Sequence, residues 1–257
     1  MAKSEVLHDR GMVVLKLRSP ATTVKDELAS AEARRALMGE FLGSLLFVIF
    51  GAGTVAITGG ILAERLDSAR LLVIALAHGL AYMLLVAAML PVSGGHLNPA
   101  VTFAAVVGRR MTFTKGMLYM IAQCAGAAAA ALVLTLVIPV GTHGTLGANA
   151  LAPHVSMGSG LVTEIVVTFV LVSAVLAATT GSTRPAAVGL AGIGLTCVLA
   201  HLFAGALTGA SMNPARSFGP AFVAGAWKDQ WIFWIAPLAG GALAACVHEL
   251  LFSSDKR

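Results

Sequence analysis

The sequence predicts an all-α membrane protein with six transmembrane helices and two re-entrant half-helices, arranged as two inverted three-helix repeats. Of the 257 residues 58% are hydrophobic and 11% charged, and the mean hydropathy is +0.87. The apolar residues fall into six runs of about twenty, the length that crosses a hydrocarbon core roughly 30 Å thick. A short motif that occurs twice predicts the two half-helices.

The six full spans and the two half-helices follow from these runs. Each full span is long enough to cross the bilayer, whereas each half-helix covers about half of it. We predict full spans at about 36–57, 70–91, 116–138, 160–179, 186–206 and 231–252. The half-helices are predicted at about 98–107 and 213–223.

The repeated motif is Asn-Pro-Ala, present as Asn98, Pro99, Ala100 and again as Asn213, Pro214, Ala215. Asn is a strong helix N-cap and Pro is favoured at the first helical position, so each copy marks the start of a helix. Two half-helices that meet by their N-termini at the membrane centre would direct two positive dipole ends at one point.

The chain divides into two repeats between two polar tails. We predict a tail at 1–34, repeat one at 35–138, repeat two at 159–252 and a second tail at 253–257, with 35–252 as the channel domain. An odd number of spans per repeat inverts the second copy. Thirteen of the 17 Lys and Arg residues lie in the tails, the loop with Asn98 and the loop near Arg184. Both termini are therefore expected in the cytoplasm.

Composition argues against several other classes of protein. The net charge of +5 comes without a basic stripe interleaved with aromatics, so no nucleic-acid partner is expected. Cys124, Cys197 and Cys246 lie in apolar runs without a CxxC pair, so neither a metal site nor a disulfide is expected. We expect no cofactor. The polar first 30 residues do not resemble a cleavable signal peptide.

Two acidic residues, Glu40 and Glu164, lie inside the first and fourth spans. An acid in hydrocarbon needs a partner or a task, and a proton relay is one hypothesis. The alternative, which we favour, is structural. At matching places in the two repeats, each carboxylate would accept hydrogen bonds from the unpaired N–H groups of a re-entrant loop.

Residues 96–101, His-Leu-Asn-Pro-Ala-Val, and 213–220, Asn-Pro-Ala-Arg-Ser-Phe-Gly-Pro, resemble the signature loops of the aquaporin (major intrinsic protein) family. Ala-Gln-Cys-Ala-Gly at 122–126 and Trp-Ile-Phe-Trp at 231–234 add to the resemblance, which covers about 35–252. It implies an aquaporin-like fold and a homotetramer in the lipid bilayer, with one pore in each protomer and no enzymatic activity.

The resemblance also implies a selectivity filter of four residues, His78, His201, Ala210 and Arg216. Water-specific relatives have an aromatic residue at the position of His78, whereas the vacuolar plant branch has His there and an aliphatic residue at the position of His201. The combination resembles the hybrid intrinsic proteins of mosses and lycophytes, which indicates a plant type. We expect His78 to widen the opening and the bulkier His201 to restrict ammonia.

In the pore, water is expected to accept hydrogen bonds from Asn98, Asn213 and Arg216 and to donate to loop carbonyls. Those carbonyls belong to Gly94, Gly95, His96 and Leu97 and to Gly209, Ala210, Ser211 and Met212. His143, in a Thr-His-Gly stretch similar to a loop of ammonia-permeable vacuolar relatives, is a candidate mouth residue. An ordinary solvated histidine is the alternative there.

The sequence thus predicts a passive water channel that excludes protons and ions. Ammonia and hydrogen peroxide are candidate further solutes. Glycerol-conducting relatives usually carry Asp where this chain has Ser217, so with Ala221 and the pair Phe233-Trp234 the resemblance implies a water-type rather than a glycerol-type pore. The rival is a secondary transporter, which also uses inverted repeats and broken helices. An intramembrane hydrolase, with Ser93 near His96, is less favoured because no acid is placed to orient them. The plasma and the vacuolar membrane both stay open.

Overall fold

The computed structural model describes residues 24–62, 65–179 and 186–252. Within those ranges the chain forms helices and no strand. The helices are α1 Val24–Ala29, α2 Ala31–Gly60, α3 Ser68–Ser93, α4 Pro99–Val107, α5 Phe113–Val137, α6 Met157–Thr179, α7 Ala186–Thr208, α8 Pro214–Ala224 and α9 Ile232–Phe252. Residues 1–23 and 253–257 of the predicted tails, and Arg184 of the charge count, lie outside the described residues.

Among the described residues six helices are long and apolar enough to cross a membrane, namely α2, α3, α5, α6, α7 and α9. The predicted six-span, two-half-helix fold is therefore confirmed. The largest boundary difference is at α2, which begins at Ala31 rather than near residue 36. Ser30 caps it by accepting from the Ala33 N–H at 3.3 Å, and Arg34 donates to the carbonyls of Leu28 and Ala29. These polar contacts extend the helix beyond its apolar part.

The two half-helices begin at the repeated motif. The Asn98 side chain accepts from the Ala100 N–H at 2.8 Å, and Asn213 accepts from the N–H groups of Ala215 and Arg216 at 3.0 and 3.2 Å. With 9 and 11 residues, α4 and α8 are too short to cross the membrane alone. Each packs against the last long helix of the other repeat, α4 on α9 and α8 on α5.

Equivalent helix pairs pack in the same way in both repeats. A Cβ atom on Gly126 of α5 would collide with the Phe41 carbonyl of α2, and one on Gly240 of α9 would collide with the Ile165 carbonyl of α6. Both crossings therefore need a residue without a side chain. The repetition of one close contact at matching positions is what inverted repeats predict.

The two repeats meet where α3 crosses α7. A Cβ on Gly79 would lie 2.6 Å from the Gly194 carbonyl oxygen, and a Cβ on Gly194 would lie 2.9 Å from the Gly79 oxygen. The two backbones are thus in direct contact. This crossing brings His78 of α3 next to His201 of α7.

We expect Gly79→Ala to lower the free energy of unfolding by about 1–3 kcal/mol, the usual cost of overpacking, because the added methyl forces α3 away from α7. Reversible unfolding in mixed micelles measures this change. Gly192→Ala on α7 is the matched control, since nothing lies within 4 Å of its Cβ position. An equal loss in both variants would contradict the predicted contact.

Candidate functional site

The loops before the two half-helices have the same backbone conformation. Gly94 and Gly209 have φ values of +89° and +77°, and Leu97 and Met212 have +51° and +52°. Ala210 also has a positive φ, +51°, without being a glycine. Such conformations cost about 1–3 kcal/mol each for non-glycine residues unless the surroundings hold them.

In repeat one the loop is held by the carboxylate of Glu40, a residue that is 0% exposed. Its Oε1 accepts from the Ser93 hydroxyl at 2.6 Å and from the His96 N–H at 3.0 Å. Its Oε2 accepts from the Leu97 N–H at 2.7 Å and from Gln123 Nε2 at 2.6 Å. Both oxygens are therefore engaged by the loop and the neighbouring helix, which leaves little capacity for an ion.

Glu164 stands in the same relation to the loop of repeat two. Its Oε1 accepts from the Thr208 hydroxyl at 2.6 Å and the Ser211 N–H at 2.8 Å, and its Oε2 accepts from the Met212 N–H at 2.9 Å. Thr208, Ser211 and Met212 occupy the positions that Ser93, His96 and Leu97 occupy in repeat one. Each carboxylate thus satisfies N–H groups that would otherwise be unpaired inside the membrane.

The contacts of Ser93 and His96 do not form a nucleophile and base. The Ser93 hydroxyl donates to Glu40, and His96 Nδ1 lies 3.0 Å from the Thr102 hydroxyl. A serine activated for attack would donate to the imidazole instead. The geometry gives the hydrolase hypothesis no support.

The two motif asparagines connect the half-helices at their N-termini. Asn98 Nδ2 donates to the Met212 carbonyl at 2.9 Å, and Asn213 Nδ2 donates to the Leu97 carbonyl at 2.8 Å. An amide carries two N–H donors, so each asparagine keeps one for another partner. Two of the loop carbonyls predicted to face solute thus already accept from protein. A third, that of His96, accepts from the Tyr82 hydroxyl at 2.9 Å.

A cavity extends from these asparagines toward His201. Asn98, Asn213 and Ser211 form part of its polar lining, and Phe47 and Leu171 part of its apolar lining. Cys197 also lines it. Of the predicted loop residues, Ser211 and Met212 reach the cavity. A mixed lining with a few fixed polar groups suits a small polar solute.

At the far end of the cavity the structure brings the two filter histidines together. The rings of His78 and His201 stack with centroids 4.1 Å apart and planes 29° apart, at 0% and 1% exposure. Each Nδ1 lies 2.9 Å from the carbonyl four residues earlier, Ile74 for His78 and Cys197 for His201. Because a carbonyl only accepts, the neutral ring carries its hydrogen on Nδ1, and its Nε2 is an acceptor.

Neither Nε2 atom has a hydrogen-bond partner among the described residues. The same holds for Nε of Arg216, a residue that interacts electrostatically with both histidines. Ala210, the fourth predicted filter residue, is buried on the loop before α8. These three side chains therefore carry two acceptor atoms and one donor atom that are buried without a partner among the described residues, which is rare in folded proteins.

Arg216 is held by a loop that the sequence did not connect with it. Its Nη1 donates to the Gly147 carbonyl at 2.7 Å. Gly147 lies in the connection between α5 and α6 and has a φ of +74°, and a Cβ there would collide with the Ala52 carbonyl. Only glycine fits this place.

Asn149, two residues further on, anchors the same loop and is 3% exposed. Its Nδ2 donates to the Thr208 carbonyl at 3.1 Å, and its Oδ1 accepts from the Ser217 hydroxyl at 2.8 Å. Its own carbonyl accepts from Gln230 Nε2 at 2.9 Å. No sequence pattern singles out these residues, because their partners are distant in the chain.

The predicted mouth residue His143 lies in this loop but outside the filter. It is half-buried, and its carbonyl accepts from the Leu146 N–H at 2.8 Å. No contact with His78, His201 or Arg216 is found in the part of the chain that the structure describes. Gly147, four residues later, makes the contact with Arg216 instead.

Six helices long enough to span a membrane, two half-helices joined at their N-termini and a cavity that runs from that junction to His201 are the architecture of a membrane channel. Residues 27–248 match the family model described as Major intrinsic protein. The chain is 39% identical to aquaporin-4 of Mus musculus over 222 residues, which are 86% of this chain and 68% of that protein.

It is also 40% identical to human aquaporin-5 over 237 residues, 90% of this chain and 86% of that protein. The X-ray structure of the aquaglyceroporin from Plasmodium falciparum has the same fold, with a TM-score of 0.74 and 21% identity over 85% of this chain and 96% of that one. The chain belongs to the major intrinsic protein family, the aquaporins.

We expect Glu164→Gln to destabilise the fold by about 1–3 kcal/mol, because one oxygen that accepts from a buried N–H is replaced by an NH₂ group. Thermal unfolding in detergent measures this loss. Glu32→Gln, at an exposed position of α2, is the control. Two results together would favour the proton relay instead. The Glu164→Gln protein would be as stable as the control, and a proton gradient would drive solute uptake in the parent but not in Glu164→Gln.

We expect Asn149→Ala to let protons or small cations leak while water flux stays near that of the parent. Without its anchor the loop holds the Gly147 carbonyl less firmly, so the Arg216 charge is less well placed at the constriction. Conductance of voltage-clamped bilayers is the measurement, with Arg216→Val as the reference for a lost charge.

Thr145→Ala, exposed in the same loop, is the control for this variant. We expect the conductance of Thr145→Ala to equal that of the parent. The conductance of Asn149→Ala should lie between those of Thr145→Ala and Arg216→Val. If Arg216→Val leaks and Asn149→Ala is as tight as the control, Asn149 does not position the arginine.

Proposed function

We propose that this chain is a passive water channel that also conducts ammonia and hydrogen peroxide and excludes glycerol, protons and ions. The observation that carries the proposal is the constriction, where two acceptor nitrogens and one arginine donor have no partner among the described residues. A buried polar group without a partner costs about 1–3 kcal/mol. A small solute that both donates and accepts would remove that cost as it passes.

The width of the constriction sets the upper size of the solute. The rings of His78 and His201 are stacked with their centroids 4.1 Å apart, and Arg216 Nη1 donates a hydrogen bond to the Gly147 carbonyl. A solute of one or two heavy atoms can replace its hydration hydrogen bonds with those of the filter. Glycerol would have to bring its CH groups past the same polar atoms, so its flux should be low.

Electrostatics supports the exclusion of cations. The N-termini of α4 and α8 meet at the asparagine pair, so two positive dipole ends face the middle of the pore. Arg216 adds a permanent positive charge at the constriction. This electrostatic barrier repels a cation or a proton but not a neutral solute. Aquaporins as a class exclude ions and protons in this way.

The structure offers little support for the rival secondary transporter. Such a protein needs an ion or substrate site whose occupancy drives alternating access. The two acids inside the bundle, Glu40 and Glu164, already accept seven hydrogen bonds between them from nearby groups. We therefore assign them to holding the loops rather than to coupling.

We further propose a homotetramer with one pore per protomer and both termini in the cytoplasm. Support for the assembly is the family alone, and support for the topology is the distribution of Lys and Arg. The plant-type assignment, close to the hybrid intrinsic proteins, rests on His78, His201, Ala210 and Arg216. The mammalian relatives named above lend it no support.

Stopped-flow light scattering on proteoliposomes tests the proposed function with water, ammonia, hydrogen peroxide and glycerol. We expect high water permeability, measurable ammonia and hydrogen peroxide permeability, and glycerol flux near that of protein-free vesicles. Saturable uptake that depends on an ion gradient would instead favour the transporter.

Two variants test the role of the histidines in the same assay. His78→Phe should lower ammonia flux, because it removes an acceptor nitrogen and adds a larger ring. His201→Ile should raise it, because the stacked ring that narrows the constriction is lost while His78 keeps its acceptor. Equal ammonia flux in the parent and in both variants would show that the pore is narrowed elsewhere.

A further inference from the structure

His78 has one close neighbour that the sequence did not single out, Gly51 in the middle of α2. A Cβ atom on Gly51 would lie 2.6 Å from Cδ2 of His78 and 2.7 Å from its Nε2. Carbon atoms in ordinary contact are about 3.5–4.0 Å apart. The imidazole therefore occupies space that any side chain at position 51 would fill.

We propose that Gly51 is a specificity-determining residue of the pore. Its missing side chain forms the recess that holds the His78 ring against His201, with the buried Nε2 free of any protein partner in the described part of the chain. This inference rests on the proposed function, because it treats the two histidines as the constriction of a conducting pore.

The His78 ring has few ways to move aside. Its Nδ1 is bound to the Ile74 carbonyl at 2.9 Å, and its face is stacked on His201. Phe47 stands edge-on to it, with ring centroids 5.9 Å apart and planes 80° apart. A methyl group at position 51 must therefore break the bond to Ile74 or push the ring further into the constriction. In either case it also covers Nε2.

The same turn of α2 supports the other half of the filter. The Ala52 carbonyl is the atom that leaves no room for a side chain at Gly147, and Gly147 accepts from Arg216. Gly51 and Ala52 thus contact, from one turn of helix, the surroundings of both His78 and Arg216. A Cβ on Gly53, two residues further on, would instead lie 3.0 Å from the end of the Leu134 side chain, which can rotate away.

The test compares water and ammonia permeability of Gly51→Ala and the parent in proteoliposomes. We expect water flux to fall about fivefold, the equivalent of one lost hydrogen bond, and ammonia flux to fall further. Gly192→Ala, whose Cβ has open space, and Gly53→Ala, in the same helix, are controls expected to stay near the parent.

A second pair of variants keeps the test decisive if Gly51→Ala folds poorly. His78→Ala and the double variant Gly51→Ala with His78→Ala should conduct equally, because without the ring nothing opposes a methyl group at position 51. A double variant that does not fold, or that conducts less than His78→Ala, would overturn the inference.

Flux through Gly51→Ala equal to that through Gly192→Ala would also overturn it, provided that the parent conducts. If the parent itself passes no more water than protein-free vesicles, the proposed function fails instead.

Discussion

The structure depends on how the backbone N–H groups of two irregular loops are satisfied inside a membrane. Lipid tails offer no acceptor and the hydrocarbon core holds no water to supply one, so an unpaired N–H costs several kcal/mol. Glu40 and Glu164 supply that acceptor, one in each repeat, to residues directly before each half-helix. Only with the loops held in place can Asn98 and Asn213 bond across to the opposite loop and bring the two helix N-termini together.

The two repeats share this scaffold but diverge around it, and the proposed filter lies where they diverge. Gln123 of α5 donates to Glu40 and to Thr102, whereas the matching residue of α9 is Pro237, which has no such donor. In repeat two Ser217, the counterpart of Thr102, donates its one hydroxyl hydrogen to Asn149 Oδ1 and therefore accepts from the Ser211 hydroxyl. The loop between the repeats is thus bound to the second half-helix, where Arg216 takes the place of Val101 of the first.

Most of the fold could be predicted from the sequence because its determinants are local. Apolar runs mark the spans, and an Asn-Pro pair marks each half-helix by capping chemistry. The geometry of the filter could not be predicted, because it depends on contacts between segments far apart in the chain. Nothing near His78 in the sequence indicates the Gly79–Gly194 crossing, and a Gly-Ala-Asn stretch in a loop carries no sign that Gly147 faces Arg216.

The polar groups of the filter are oriented almost entirely by main-chain atoms. His78 and His201 are fixed by carbonyls of their own helices, and Arg216 by the carbonyl of Gly147. Main-chain acceptors carry no net charge and do not titrate, so they direct these groups without adding a competing ion to the pore. They also leave each ring with its Nε2 unused, and the guanidinium with its Nε. In the proposed pore, the donors and acceptors that a solute meets are therefore oriented by two helix carbonyls and by the loop carbonyl of Gly147. The width of the opening depends on the residues that lie behind the rings, such as Gly51.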